Sequence, residues 1–205
     1  MYKKVLLTML ATATLSVAVP SLAAATAVPD LPPDVHQAYL ADGDGNPESG
    51  SFTLSGYLNI SSFITTTCQV DMTVDFFDDG TSAITSFTQN NCNFNGIPGC
   101  TITVTATNLD WGDRFGFDTR ESPAAYHDYI DLTFDTTYGP GCPPQFWGTY
   151  PWHGTISPEV TASGGTISYT FNGANSRATG LYFGTTSMSG TLSGSTDTAD
   201  TQFVY

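Results

Sequence analysis

Apolar and polar residues alternate along most of the chain after residue 50. Five segments place an apolar side chain at every second position: 51–60, 72–76, 102–106, 130–134 and 167–171. This period of two is typical of an antiparallel strand with one face in the core and one face in water. Several such strands separated by turns, with no convincing helical period, predict an all-β fold: an antiparallel β-sandwich of immunoglobulin-like or jelly-roll-like type.

The first 25 residues have a different pattern, that of a cleaved signal peptide. Lys3 and Lys4 are followed by the apolar run 5–19 and by small residues at 21–25. A positive start, a short apolar run and a small-residue cleavage site define a bacterial Sec-type secretory signal. The run is shorter than the roughly 20 residues that span a bilayer, so we predict no transmembrane segment. The protein is expected to be secreted, extracellular or at the cell surface.

The leader divides the remaining chain into two parts. Residues 26–50 are rich in Pro, Asp and Gly and predict an arm or linker, with a short helical turn at 34–40. Residues 51–205 form a single β-sandwich domain. The sequence leaves open whether the arm docks on its own domain or on a neighbouring copy.

Charge narrows the range of partners. Without the leader, three arginines remain against 19 acidic residues, a net charge of −16. Binding to nucleic acid requires Lys or Arg to displace counterions, so nucleic acid is excluded as a partner. Charged residues are only 12% of the chain, against an ordinary figure near 25%, and Thr, Ser, Asn and Gly supply the polarity instead. This composition favours a surface or matrix domain over an enzyme.

The cysteines are Cys68, Cys92, Cys100 and Cys142. An even number in an exported chain predicts two disulfides, and four cysteines allow three pairings. The Asp79-Gly80 turn predicts a hairpin of 70–77 with 81–89. A bulge or a three- to four-residue loop would then bring Cys92 opposite Cys68, which favours Cys68–Cys92 and leaves Cys100–Cys142. The absence of close cysteine pairs with a nearby His argues against a zinc site.

One acidic loop resembles the start of a calcium-binding loop. Its candidate ligands are Asp42, Asp44, Asn46 and Glu48, at alternating positions of a turn. Pro47 and Thr53 stand where an EF-hand requires Gly and an acidic residue, so the loop is not an EF-hand. The alternative is an acidic loop that only contacts solvent, and no other cofactor is predicted.

An aromatic cluster lies in a proline-rich segment. Trp147, Tyr150 and Trp152 follow Pro143 and Pro144, and Pro151 interrupts them. Exposed rings of this kind stack on sugar rings or pack on apolar partners, so the three are candidate ligand-binding residues. The alternative is that they cap an open end of the sandwich.

No catalytic residue is predicted. The sequence has no Gly-x-Ser-x-Gly nucleophile elbow and no His-Glu-x-x-His pattern among His36, His127 and His153. His127, Asp128 and Asp131 form a weak candidate for cation binding, and surface carboxylates in an acidic chain are its ordinary explanation.

Four stretches carry a resemblance to a known family. They are SFTLSG (51–56), TTTCQVDMTVDF (65–76), TSAITSFTQNNC (81–92) and ITVTATNLDWG (102–112). In order and spacing they resemble the bacterial secreted family called protein activator of alkane oxidation (PraB-like). The resemblance implies an extracellular β-rich protein of biofilms and hydrocarbon growth, and it carries over no active residue. It does not extend to the acidity of the chain or to the Pro- and Trp-rich 139–153 loop.

Together these features predict a secreted, non-enzymatic cell-surface or biofilm-matrix protein, which the resemblance links to growth on hydrophobic substrates. Its expected partners are matrix polysaccharide, a hydrophobic surface or further copies of itself. One alternative is a self-assembling fibre or pilin-like subunit that adds the 26–50 arm to a neighbour's sheet. The other is a carbohydrate-binding or hydrolytic domain that uses the aromatic loop.

Overall fold

The structure is a computed structural model, and it describes residues 30–61, 65–94, 97–109, 111–180, 184–196 and 201–205. The signal peptide predicted at 1–25 lies outside these residues. The strands are β1 (Val35–Gln37), β2 (Tyr39–Ala41), β3 (Gly50–Ser61), β4 (Thr65–Phe76), β5 (Thr81–Phe94), β6 (Ile102–Ala106), β7 (Trp111–Asp118), β8 (Ala125–Tyr138), β9 (Gly148–Ile156), β10 (Glu159–Ser163), β11 (Thr166–Gly180), β12 (Gly184–Ser195) and β13 (Gln202–Val204). A 3₁₀ helix, Pro144–Phe146, precedes β9.

All strand pairs are antiparallel, and eight strands pair in a closed circuit. The circuit runs β3, β4, β5, β7, β8, β9, β11, β12 and back to β3. Strand β10 joins β8 to β11, while β6 extends from β8 and β1 extends from β7. The pair β3–β4 therefore lies opposite β8–β9 across the core. The prediction of an all-β, antiparallel, sandwich-like fold is confirmed.

Strict alternation of burial explains how the sequence builds this sheet. Along β4 every second side chain from Thr66 to Phe76 is buried, and the residues between them are partly exposed. The inward side chains of all layers join in one apolar cluster that includes Trp111, Phe115 and Tyr169. A gap of about 20 Å³ lies in that cluster, about the space of one water molecule. The described core is therefore closely packed around it.

Both predicted disulfides form, Cys68–Cys92 and Cys100–Cys142. The β4–β5 register shifts between Thr67 and Gln69, so Cys68 faces a bulge that contains Cys92. This is the bulge that the hairpin argument required. Two disulfides are compatible with an exported protein.

The 30–50 segment packs on its own domain. The helical turn expected at 34–40 is wrong: β1 pairs with β7, and β2 pairs with the C-terminal strand β13. Ala38 and Leu40 between and within these strands are fully buried in the core. Pairing with β7 and β13 therefore overrides the local turn preference of this segment. At the same end, Phe203 of β13 packs on Phe115 with ring centroids 4.5 Å apart.

In the part of the chain that the structure describes, no helix has the length and apolar character needed to cross a membrane.

Candidate functional site

The loop before β9 is anchored firmly to the sheet. Its Cys142 is bonded to Cys100, and backbone hydrogen bonds join Gly139 to Thr101 and Thr101 to Pro140. Gly141 has a φ of +86°, and a side chain there would collide with the carbonyl group of Gly99. Only glycine fits at such a position. The loop is therefore a fixed support for whatever side chain it presents.

That side chain is Trp147, which is 55% exposed. Its indole Nε1 donates a hydrogen bond of 2.8 Å to the carbonyl oxygen of Cys142, inside the anchored loop. Its backbone N–H also donates a hydrogen bond to the carbonyl oxygen of Pro144, the first residue of the 3₁₀ helix. An exposed ring whose polar edge is already satisfied leaves its apolar face to solvent in a fixed orientation. This is a preorganised stacking surface.

The other two predicted ligand-binding rings face inward. Trp152 is 4% exposed and stacks on Phe134, with centroids 6.1 Å apart and planes 13° apart. Tyr150 is half-buried and meets the edge of Tyr138. These two rings belong to the apolar packing, and of the three only Trp147 is largely exposed.

A groove of about 470 Å³ opens on the outer face of β9. We call it the β9 groove. Its lining residues are Thr107, Asn108, Thr133, Pro151, Trp152, His153, Thr179 and Gly180. They supply hydroxyl, amide and imidazole groups, and none of the described residues that line it is Asp or Glu. The volume lies in the range of ordinary small-ligand sites.

The groove is built by strand register. His153 of β9 lies opposite Thr133 of β8 on one side and Thr179 of β11 on the other, so the three form one row. Thr133 Oγ1 donates to the carbonyl oxygen of Thr107, which brings the end of β6 into the same row. A side chain at Gly180 would collide with the ring of Trp152. The backbone of Gly180 therefore packs directly on this largely buried ring, which lies beneath the groove and forms its floor.

Trp147 lies immediately before β9, close to the groove in sequence. Pro151 of the groove is four residues beyond Trp147, at most about 13 Å along an extended chain. Thr149, Pro151 and His153 are all exposed, because they occupy the outward positions of β9. An exposed ring thus precedes the strand whose outward residues line the groove.

The opposite face of the circuit differs. Tyr57 on β3 is 63% exposed and lies between Gln69 of β4 and Thr191 of β12. Hydroxyl and carboxylate pairs surround it, such as Ser55 Oγ donating to Asp71 at 2.6 Å. The register of β3 with β4 and with β12 is unbroken around Tyr57.

The acidic 42–48 loop uses its first carboxylate internally. Asp42 Oδ1 accepts the backbone N–H groups of Asp44 at 3.0 Å and Asn46 at 2.8 Å. The hydrogen bonds from Asn46 lower the pKa of Asp42. Among the described residues no group of three or more His, Cys, Asp or Glu side chains is placed to hold a metal ion. Calcium binding by Asp42, Asp44, Asn46 and Glu48 stays a prediction.

Asp128 has a role that the sequence did not reveal. It is fully buried and accepts hydrogen bonds of 2.7 Å from Ser82 Oγ and from the hydroxyl of Tyr169. Burial raises its pKa to about 6, although both hydrogen bonds act in the opposite direction. The group joins β5, β8 and β11 across the core, so it is a structural network and not a surface cation site.

Comparisons with protein-family models, with curated proteins and with solved structures find no match for this chain. The resemblance to the PraB-like family therefore stays a prediction, and function must be argued from the geometry.

Proposed function

We propose that the protein is an extracytoplasmic, non-enzymatic matrix or cell-surface protein that binds a neutral polysaccharide through the outer face of β9. The observation that carries the proposal is Trp147, an exposed ring held by its own N–H on a disulfide-anchored loop. A ring fixed in this way can stack on a sugar without losing side-chain entropy on binding.

The β9 groove combines mostly apolar surface with a row of polar side chains, which suits a sugar ring, with its apolar face and its hydroxyls, better than an oily surface. Thr133, His153 and Thr179 lie in one row and present groups that exchange hydrogen bonds with hydroxyls. An apolar partner would leave these groups without partners, at a cost in free energy. The excess of negative charge in the chain also disfavours an acidic polymer. A neutral glycan satisfies both conditions.

The strand-donating fibre subunit has less support. The arm that would enter a neighbour is already paired with β7 and β13 of its own chain. The glycosidase alternative would use a pair of carboxylates, and the described lining of the β9 groove supplies none.

The test is a binding isotherm of the purified mature protein on cellulose, xylan and dextran, with alginate as an acidic comparison. We expect saturable binding to at least one neutral polymer. Trp147→Ala should weaken it by about tenfold or more, because a central aromatic contact contributes about 1.4 kcal/mol or more.

Tyr57→Ala is the matched control, since it removes an equally exposed ring from the opposite face. Wild-type protein that binds none of the neutral polymers would reject the proposal. So would equal losses in the two variants. Release of soluble sugar during the assay would contradict the non-enzymatic part of it.

A further inference from the structure

A second groove of about 470 Å³ lies at the end where the arm docks. Strand β10 pairs with β8 at only two positions, Glu159 with His127 and Val160 with Tyr126. Beyond them the 121–124 turn leads β8 away, and the two strands separate. We call the resulting space the β10 groove.

The groove has a lining of mixed polarity that includes two glutamates. Ala162 and Phe203 contribute apolar surface, Thr161 and Gln202 contribute polar groups, and the glutamates are Glu121 and Glu159. Among the described lining residues none is Lys or Arg. The neighbouring Arg120 is committed elsewhere, because its Nε donates to Asp118 Oδ1 at 2.9 Å.

Glu121 lies beside the buried side chain of His127. The Nε2 atom of His127 lies 3.3 Å from Glu121 Oε2, while its Nδ1 hydrogen-bonds with the carbonyl oxygen of Ser157 at 3.0 Å. Glu159 has no ion-pair partner among the described residues. The described lining of the groove therefore carries a net negative charge.

The wall of the groove also contains an open sheet edge. Thr161, Ala162 and Ser163 pair with β11 on one side. On the side of β8, no strand among the described residues pairs with them. An open edge is a template for an additional strand, because its N–H and C=O groups seek partners.

We propose that the β10 groove binds an extended, positively charged peptide segment of a partner protein. Its backbone adds to the 161–163 edge, its apolar side chains enter between Ala162 and Phe203, and its basic side chains reach Glu121 and Glu159. This mode of strand addition takes affinity from the backbone and specificity from the side chains. The charge complementarity selects a basic partner, in a chain that is itself strongly acidic. The inference goes beyond polysaccharide binding and does not depend on it.

The experiment uses the full mature protein and a short synthetic peptide of alternating Lys with Val or Thr, blocked at both ends. Calorimetry should show saturable binding that weakens as salt rises from about 0.1 M to about 0.5 M, because added ions screen the carboxylates. Two further peptides separate the contribution of charge from the contribution of strand pairing. One replaces Lys with Glu, and the other keeps every Lys but has Pro at two positions, which prevents strand pairing.

The protein variants locate the site. Glu121→Gln with Glu159→Gln should weaken binding about tenfold or more, as expected for two lost charge contacts. Asp30→Asn with Asp78→Asn removes the same charge from exposed carboxylates outside the groove and should leave binding unchanged. Because Glu121 contacts His127, Glu159→Gln alone and Thr161→Arg serve as variants that spare that contact. Each of them should also weaken binding.

Three results would overturn the proposal: no binding of the Lys peptide, equal losses in the two double variants, or equal affinity for the Pro-containing peptide. The second would mean attraction to net charge alone, and the third would exclude strand addition. The two grooves can be tested independently. The glutamate variants should keep polysaccharide binding, and Trp147→Ala should keep peptide affinity.

Discussion

The β9 groove and the β10 groove have the same volume, about 470 Å³, yet their linings differ. The first combines a mostly apolar surface with hydroxyl, amide and imidazole groups. The second is of mixed polarity and carries two glutamates and an open strand edge. Each groove is lined by residues of several strands, so the fold creates the space and the local sequence decides its chemistry. Shape alone would not separate a sugar site from a peptide site in this molecule.

The grooves also differ in how they join the core. The floor of the β9 groove is Trp152, a core side chain, whereas its platform Trp147 stands outside the core. The β10 groove lies beside the buried Asp128, whose backbone N–H bonds to Pro158 just before β10. Substitutions on each side should therefore give distinct signatures in stability.

The largest effect is expected from Trp152→Ala. Removing this buried ring leaves a cavity beside Phe134 and should reduce the free energy of unfolding by about 3–5 kcal/mol. Trp147→Ala should change it by less than about 1 kcal/mol, as expected of an exposed side chain. Urea unfolding of the two variants measures both values. Similar losses would mean that Trp147 is also a core residue and would weaken the comparison between floor and platform.

The next effect concerns pH on the other side of the molecule. The pKa of Asp128 is raised from 3.8 to about 6, so the folded state binds its proton more tightly than the unfolded chain does. Between about pH 4 and pH 6 the contribution of Asp128 to stability therefore falls as pH rises, and above pH 6 it is constant. The total change is about 3 kcal/mol.

Asp128→Asn should remove this pH dependence. Asn keeps the shape of the carboxyl group, and the Ser82 and Tyr169 hydroxyls can reorient to meet its amide. The measurement is the difference in unfolding free energy between wild type and variant from pH 4 to pH 8, which cancels the other carboxylates. A difference that stays flat across this range would show that Asp128 does not titrate as its burial requires.

The opposite sign is expected for Asp118, on the strand next to Asp128. Hydrogen bonds from the Arg120 side chain lower its pKa to about 2. Its contribution to stability is therefore present above about pH 4 and is lost as the pH falls toward 2. The pKa values of these two carboxylates on paired strands shift in opposite directions, because Asp118 accepts hydrogen bonds from a guanidinium whereas Asp128 is buried away from water.

The sequence predicted the fold well because alternation is a local signal. The period of two located β3, β4, β6, β8 and β11, and the Asp79-Gly80 turn led to the correct partner for Cys68. The prediction from sequence failed at 34–40, because pairing with β7 and β13 decides the structure there and no local pattern indicates that pairing.

The candidate site was less predictable. Trp147 was identified from its proline-rich surroundings. Those surroundings did not distinguish it from Trp152, which occupies an inward position of β9. The row of Thr133, His153 and Thr179 comes from three strands distant in sequence. In a chain rich in threonine, no spacing marks these particular hydroxyls. The β10 groove depends in the same way on where β8 and β10 part.

The most direct test of the two-groove account is an NMR titration of the isotope-labelled mature protein with two probes. The first is a soluble oligosaccharide from whichever neutral polymer of the panel binds, and the second is the Lys-containing peptide. The account predicts that the sugar shifts the indole signal of Trp147 and the backbone signals of 149–153, while the peptide shifts those of 159–163. Both probes shifting one common set of residues, or the sugar leaving Trp147 unchanged, would contradict it.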